Sequence, residues 1–169
     1  RRETQKGTVK WFQLHWPRKE EIFKGEKVVY PQMGAKPTFA YSDKPFYFNM
    51  SANLVYACVD GISLKAMTAV LNSNLAHFYL LHRAKNRGIG LDIAVTVIDA
   101  FPVNEDILKD EELIRLSAMA IQKAEKEEDF SDVDNLINER VYQLYDFNSD
   151  EIAEINNYIS ERMEANARH

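Results

Sequence analysis

The feature that most limits the possible folds is a change of hydrophobic period near residue 60. Up to about Asp60 the apolar residues come in strand-length bursts, VKWFQLHW, EKVVYP, TFAY, PFYFN and LVYACV, separated by Pro, Gly, Lys and Asp. Such runs of aromatic and β-branched residues predict a small, mostly antiparallel sheet. From Ser63 the spacing turns helical. Leu64, Met67, Leu71, Leu75, Phe78 and Leu81 or His82 fall on one stripe of a single long helix, with Ser63 as its N-cap and Gly88 soon after its end.

The segment NRGIGLDIAVTVIDAFPV reads as a Gly-bearing loop followed by an irregular or strand-like apolar run ending at Pro102. Three helical stretches follow, within 105–128, 131–147 and 149–167. The second opens on a Ser-x-x-Asp capping pattern at Ser131, and the third begins at a cap on Ser149. The expected class is α+β, a small sheet packed with a long helix and closed by a helical tail. Residues 1–104 are expected to form the α+β domain and 105–169 the tail.

Charge divides along the same line. Residues 1–101 hold 14 Lys and Arg against 8 Asp and Glu, net +6, whereas residues 102–169 hold 7 against 18, net −11. The first part suits phosphate and the second repels it, although the two parts also suit each other. The lone Cys58 rules out an internal disulfide and fits a small buried apolar position. No apolar run approaches the ~20 residues of a membrane span, so no membrane partner is expected. The chain opens RRETQKGTVKW, without initiator Met or signal pattern, and is expected to be a piece of a longer cytoplasmic protein.

Catalytic constellations are missing from the sequence. His15, His77, His82, His169 and Cys58 lack metal-ligand spacing, and His77 and His82, five apart, diverge on a helix. No nucleophile elbow, Walker loop or dinucleotide fingerprint occurs, and Gly88-Ile89-Gly90 alone is too short to count. Glu111-Glu112 and Glu127-Glu128-Asp129 read as solvated helix faces. No Pro-Asp followed by Asp/Glu-x-Lys, as metal-dependent nucleases use, is present.

What remains is a binding inventory. Lys27, Lys36 and Lys44 flank turns of the sheet region, and Arg83, Lys85 and Arg87 cluster where the long helix ends. Basic side chains on loops of a rigid scaffold neutralise phosphate, and Arg also bonds guanine O6 and N7 through its planar fork. Cations in the last turn of a helix equally complement its dipole with no ligand at all. The aromatics Trp11, Phe12, Trp16, Phe39, Tyr41, Phe46, Tyr47 and Phe48 read mostly as core.

Four stretches in order resemble a known family. They are KVVYPQMGAKPTFAYSD, LKAMTAVLNSNLAHFYL with its LNS, the closure IDAFPV, and INERVYQLYDFNSDEIAEI. Together they are similar to the TaqI-like C-terminal specificity domain, the target recognition domain of adenine-specific DNA methyltransferases and bifunctional restriction-modification enzymes. The chain departs from that pattern at Asn138, where Asp is common, and at Asp146-Phe147, where Gly-Leu is common. The Asn-Pro-Pro-Tyr motif and S-adenosylmethionine loop of the family's methyltransferase domain are absent.

The resemblance implies double-stranded DNA as partner, no cofactor in this chain, and S-adenosylmethionine in a methyltransferase portion of the same parent protein. It carries DNA contact onto Arg83, Lys85, Asn86, Arg87 and Asp92, and in second rank onto Lys27, Gln32, Lys36 and Thr38. Gly34, Gly88 and Gly90 would let the backbone turn or approach the duplex. The last two helices are expected to form a hairpin packed on the domain or on the methyltransferase portion, through Leu136, Ile137, Val141, Tyr142, Leu144, Tyr145, Ile152, Ile155 and Ile159. The competing reading is a protein-protein interaction module with incidental basic loops; a self-contained nuclease has no constellation to support it.

Overall fold

The computed structural model describes residues 6–7, 10, 19–49, 51–57, 60–88 and 90–167. The strand expected at VKWFQLHW, with Trp11, Phe12, His15 and Trp16, lies outside the described residues, as do Cys58 and His169. Among the described residues the fold is α+β, but it holds two three-stranded antiparallel sheets where one was expected. After a short helix α1 (Glu21–Lys24), strand β1 (Lys27–Pro31) lies between β3 (Ala40–Ser42) and β4 (Ala52–Val55). Strand β2 (Met33–Gly34) leaves that sheet and pairs with β6 (Gly90–Asp92), which in turn pairs with β5 (Lys85–Arg87).

Gln32 is the junction. Its N–H donates to the carbonyl of Ser51, just before β4 of the first sheet, at 2.9 Å, and its carbonyl accepts from the N–H of Ile93, just after β6 of the second, at 2.8 Å. One continuous stretch of chain is thereby stitched into both sheets. Residues 45–49 form no strand, contrary to expectation for PFYFN. Their aromatics are used locally: Tyr47 is 63% exposed, with its hydroxyl donating to Glu20 Oε1 at 2.8 Å, and Phe46 lies over a lysine.

The expected long helix is two helices, α2 (Leu64–Asn72) and α3 (Asn74–Arg83), broken at Ser73. Ser73 takes an extended conformation with ψ 160°. Its hydroxyl donates to Val70 O at 2.6 Å and accepts from Ala76 N–H at 3.3 Å, closing one helix and capping the next. The apolar stripe survives the break, with Leu64, Leu71, Leu75 and Leu81 in the core. Ser63 caps α2 as expected, accepting from Ala66 N–H.

Beside the break, the Asn72 amide grips a neighbouring strand entry. Its Oδ1 accepts from Phe39 N–H at 3.0 Å, and its Nδ2 donates to Phe39 O at 2.7 Å and to Thr68 O at 3.0 Å. Phe39 is thus held as if by another strand, its ring packed 5.2 Å from that of buried Tyr30.

After α4 (Val95–Asp99) and α5 (Glu105–Leu108) come α6 (Glu111–Glu125), α7 (Ser131–Leu144) and α8 (Ser149–Ala167). The run expected to be irregular or strand-like before Pro102 is therefore partly the helix α4. The tail helices share one hydrophobic core with α2 and α3, through Leu113, Leu116, Val133, Ile137, Val141, Ile155 and Ile159. Ser117 of α6 donates to Lys65 O of α2 at 2.6 Å. Asp110 caps α6 through Leu113 N–H at 2.8 Å while holding Arg140 of α7, Nε to Oδ1 3.0 Å. That guanidinium keeps the Asp110 carboxyl below its usual range.

The expected pairing of α7 with α8 as a hairpin is corrected. The main neighbour of α7 is α6 and that of α8 is α3, each filling a different groove of the core. Tyr142 Oη bonds Asn156 Oδ1 at 3.0 Å where α7 and α8 meet. The caps also differ from expectation. Asn148, one residue before Ser149, accepts from Asp150 and Glu151 N–H, while Glu151 returns the bond to Asn148 N–H at 2.9 Å. Ser131 lies within α7 and bonds Asp129 instead of capping.

Helix α7 closes in a Schellman motif. Phe147 N–H reaches Tyr142 O, and Asp146 N–H reaches Gln143 O, each at 3.1 Å. Asp146 must then take φ 58°, a conformation that glycine adopts at no steric cost. Replacing Asp146 with Gly is expected to raise stability by up to about 1 kcal/mol, read as a higher denaturant midpoint. Asn72→Ala is expected to cost about 1–3 kcal/mol, because it strands the buried Phe39 backbone groups; an unchanged midpoint would show that the clamp is not used.

Candidate nucleic-acid interface

Helix α3 hands the chain straight to a hairpin. Ala84 is already extended, with ψ 155°, and its N–H closes on Leu80 O. Register pairs Lys85 with Asp92, Asn86 with Leu91 and Arg87 with Gly90. The two-residue connection begins with Gly88 at φ 62°, a left-handed value suited to a tight hairpin turn. Leu91 and Ile93 root the hairpin in the core, being 3% and 0% exposed, while Lys85, Asn86 and Arg87 are all exposed.

The other edge of β6 carries β2, with Met33 opposite Asp92 and Gly34 opposite Leu91. There the two backbones close in. A Cβ on Gly90 would stand 3.2 Å from the Gly34 carbonyl oxygen. A glycine at position 90 therefore suits the close β2 seam, which accounts for it without a duplex.

This sheet brings Met33–Gly34 of the first candidate stretch beside the Lys85–Arg87 and Gly90–Asp92 strands of the second. Arg83, Lys85, Arg87, Gln32, Lys36 and Thr38 are all exposed, and Asp92 is half-buried. Strand alternation then sorts them. Lys85, Arg87, Asp92 and Met33 share one face of the sheet, while Asn86 shares the opposite face with core-facing Leu91. Arg87 Nε lies 2.9 Å from Asp92 Oδ2.

Lys27 does not join them. It is 0% exposed, its Nζ donates to Gly25 O and Lys44 O at 2.8 Å each, and it lies 5.0 Å from the Phe46 ring centroid. A buried ammonium with these partners supports the β1 entry and has no path to a duplex. Thr38 Oγ1 donates to Lys36 O at 3.3 Å. The charge of Lys36 acts on His77 and on Asp134 of α7, so part of its field is spent inside the molecule.

Behind the hairpin is a cavity of about 170 Å³, lined by Ala35, His77, Leu81, Asn86, Leu91 and Arg162, among others. Arg162 comes from α8, and its buried Nε has no hydrogen-bond partner. Sequence reasoning missed it. It is one of few cations in an acidic tail, far along the chain from the hairpin, and nothing local marks its destination. Among the described residues no group of three or more His, Cys, Asp or Glu is placed to hold a metal ion, and no helix is long and apolar enough to cross a membrane.

Compared with protein-family models, residues 3–103 match the TaqI-like C-terminal specificity domain. The matched range contains both candidate stretches and ends at Phe101-Pro102-Val103, so the VYQLY stretch of α7 falls outside it. No curated protein matches the chain.

His77 gives this site a pH signature. Burial first, and the Lys36 charge second, hold its pKa below the ordinary 6.5. As pH falls below that value the unfolded chain takes up the proton before the folded one, so stability declines until the folded imidazole titrates too. The denaturant midpoint is expected to fall between pH 7 and 5.5, and to fall less in His77→Gln. An equal decline in both proteins would assign it to other groups.

Proposed function

The chain belongs to the TaqI-like C-terminal specificity domain family, a DNA target recognition domain of restriction-modification enzymes, and we propose that it selects the site for an adenine-N6 methyltransferase of the same parent protein. The observation that carries this reading is the exposed basic hairpin, Lys85-Asn86-Arg87, held on the core by Leu91 and Ile93 inside the matched range. A two-stranded ribbon fits the B-DNA major groove, about 12 Å wide. Arg83 and Lys85 then position the duplex through phosphate, and Arg87 meets base edges.

Methylation, with S-adenosylmethionine as donor, belongs in this reading to a portion outside the chain, because the sequence lacks the Asn-Pro-Pro-Tyr motif. The reading extends to a parent that also cleaves DNA only as an option of the family. Charged residues on an edge strand also discourage pairing with other chains, a second use for Lys85 and Arg87 on β5. A second reading, protein docking, is favoured by the exposed Phe46, Tyr47 and Tyr56 on the α1 side.

Salt separates the two. Affinity for mixed-sequence duplex is expected to fall with salt, with a log–log slope near −0.9 per phosphate neutralised. Joint replacement of Arg83, Lys85 and Arg87 by Gln should flatten that slope by up to about three phosphates' worth. A slope unchanged in the triple variant, or binding indifferent to salt, would remove DNA from this hairpin.

A further inference from the structure

A carboxylate such as that of Asp92 can accept a bond from cytosine N4 in the major groove, yet the surroundings of Asp92 suit another task. Its side chain is 11% exposed, against 60% for Arg87, and it lies in the ion pair with that guanidinium at 2.9 Å. A carboxylate so covered and already occupied is poorly placed to meet a base. It is well placed to hold the group that does.

The backbone makes the arrangement specific. Strand β6 is the central strand of its sheet, and Asp92 is fixed on both sides, opposite Lys85 of β5 and Met33 of β2. Arg87 sits on the same face, diagonal to Asp92 across the ladder. Diagonal neighbours are roughly 7–8 Å apart, within reach of a long side chain. Directly opposite Arg87 is Gly90, which offers no side chain to obstruct the lean.

With Nε facing Asp92, the two terminal nitrogens of Arg87, whose side chain is 60% exposed, are the remaining coplanar donors of the guanidinium. Guanine is the base whose major-groove edge presents two acceptors, O6 and N7; adenine and cytosine each place a donor there, and thymine a single acceptor beside a methyl group. Restraining the guanidinium before binding also reduces the rotamer freedom lost on contact. Resting on the target-recognition reading above, we infer that Arg87 reads a guanine of the target site and that Asp92 is its positioning residue.

Asparagine keeps the size of the covered Asp92 side chain and one acceptor oxygen toward Arg87, whose own side chain is open to solvent, so Asp92→Asn is expected to fold and can be judged on recognition. The experiment is selection from a randomised duplex pool with the full chain, sequencing the retained DNA for the unaltered protein, Arg87→Lys, Asp92→Asn and Asp92→Glu, each checked by thermal unfolding. The unaltered chain is expected to enrich a motif containing guanine. Arg87→Lys, which keeps charge but loses the fork, is expected to cut the preference at one guanine on the order of tenfold while other positions hold. Asp92→Asn should relax the same position in part, and Asp92→Glu should restore some of it.

Relaxation at no guanine in Arg87→Lys, or a uniform loss across all sequences, would make Arg87 a phosphate contact and overturn the inference alone. An Asp92→Asn profile identical to the unaltered one, or altered elsewhere, would remove the positioning role. Binding without any enriched motif would overturn the target-recognition reading itself, and this inference with it.

Discussion

The arrangement depends on the Asn72 amide. It takes both backbone groups of Phe39 as partners and stands next to Ser73, where α2 gives way to α3. The chain from β2 toward β3 is thereby fixed against the helix pair, and α3 sets the position from which the hairpin departs. Gln32, bonded into both sheets, fixes the other half. An amide with its bonds made is worth modest stability but strict geometry: Asn72 itself is exposed, yet a displaced partner would leave the backbone groups of buried Phe39 without their bonds. This is how two stretches of sequence some fifty positions apart come to lie on one sheet.

Much of this was legible in the residues. The period change near residue 60 separated strands from helices, and the stripe from Leu64 to Leu81 identified the core face. The break at Ser73 was hidden because a helix that restarts after one residue keeps the same apolar stripe. The hairpin was read as a loop because Lys85-Asn86-Arg87 has neither alternation nor β-propensity; pairing with Leu91 and its neighbours makes it a strand. Lys27 looked like a surface cation because lysines usually are, and only the fold shows the carbonyls of Gly25 and Lys44 converging on it.

Asn138 and Asp146-Phe147, where the resemblance implied other residues, lie beyond the matched range but have clear physical settings. Asn138 Oδ1 accepts from Asn74 N–H at 2.7 Å at the start of α3, a bond that an aspartate oxygen would make equally. Asp146 occupies the left-handed position of a Schellman motif, and Phe147 packs 6.3 Å from the Tyr142 ring, where a leucine would also fit. The acidic tail is therefore a packing element first. It reaches the interface at the C-terminal part of α8, where Arg162 faces the cavity behind the hairpin. Charge counted along the sequence concealed that contact.

The most direct test of the central claim, that the sheet of β2, β5 and β6 with the basic residues beside it faces DNA, is backbone amide NMR of the 169-residue chain titrated with a duplex bearing its selected site. The account predicts shift changes concentrated on Gln32 to Lys36 and Arg83 to Asp92, with α1 and its exposed tyrosines silent. Changes centred on Tyr47 and Tyr56, with the hairpin silent, would contradict it and place the working surface on the opposite reading.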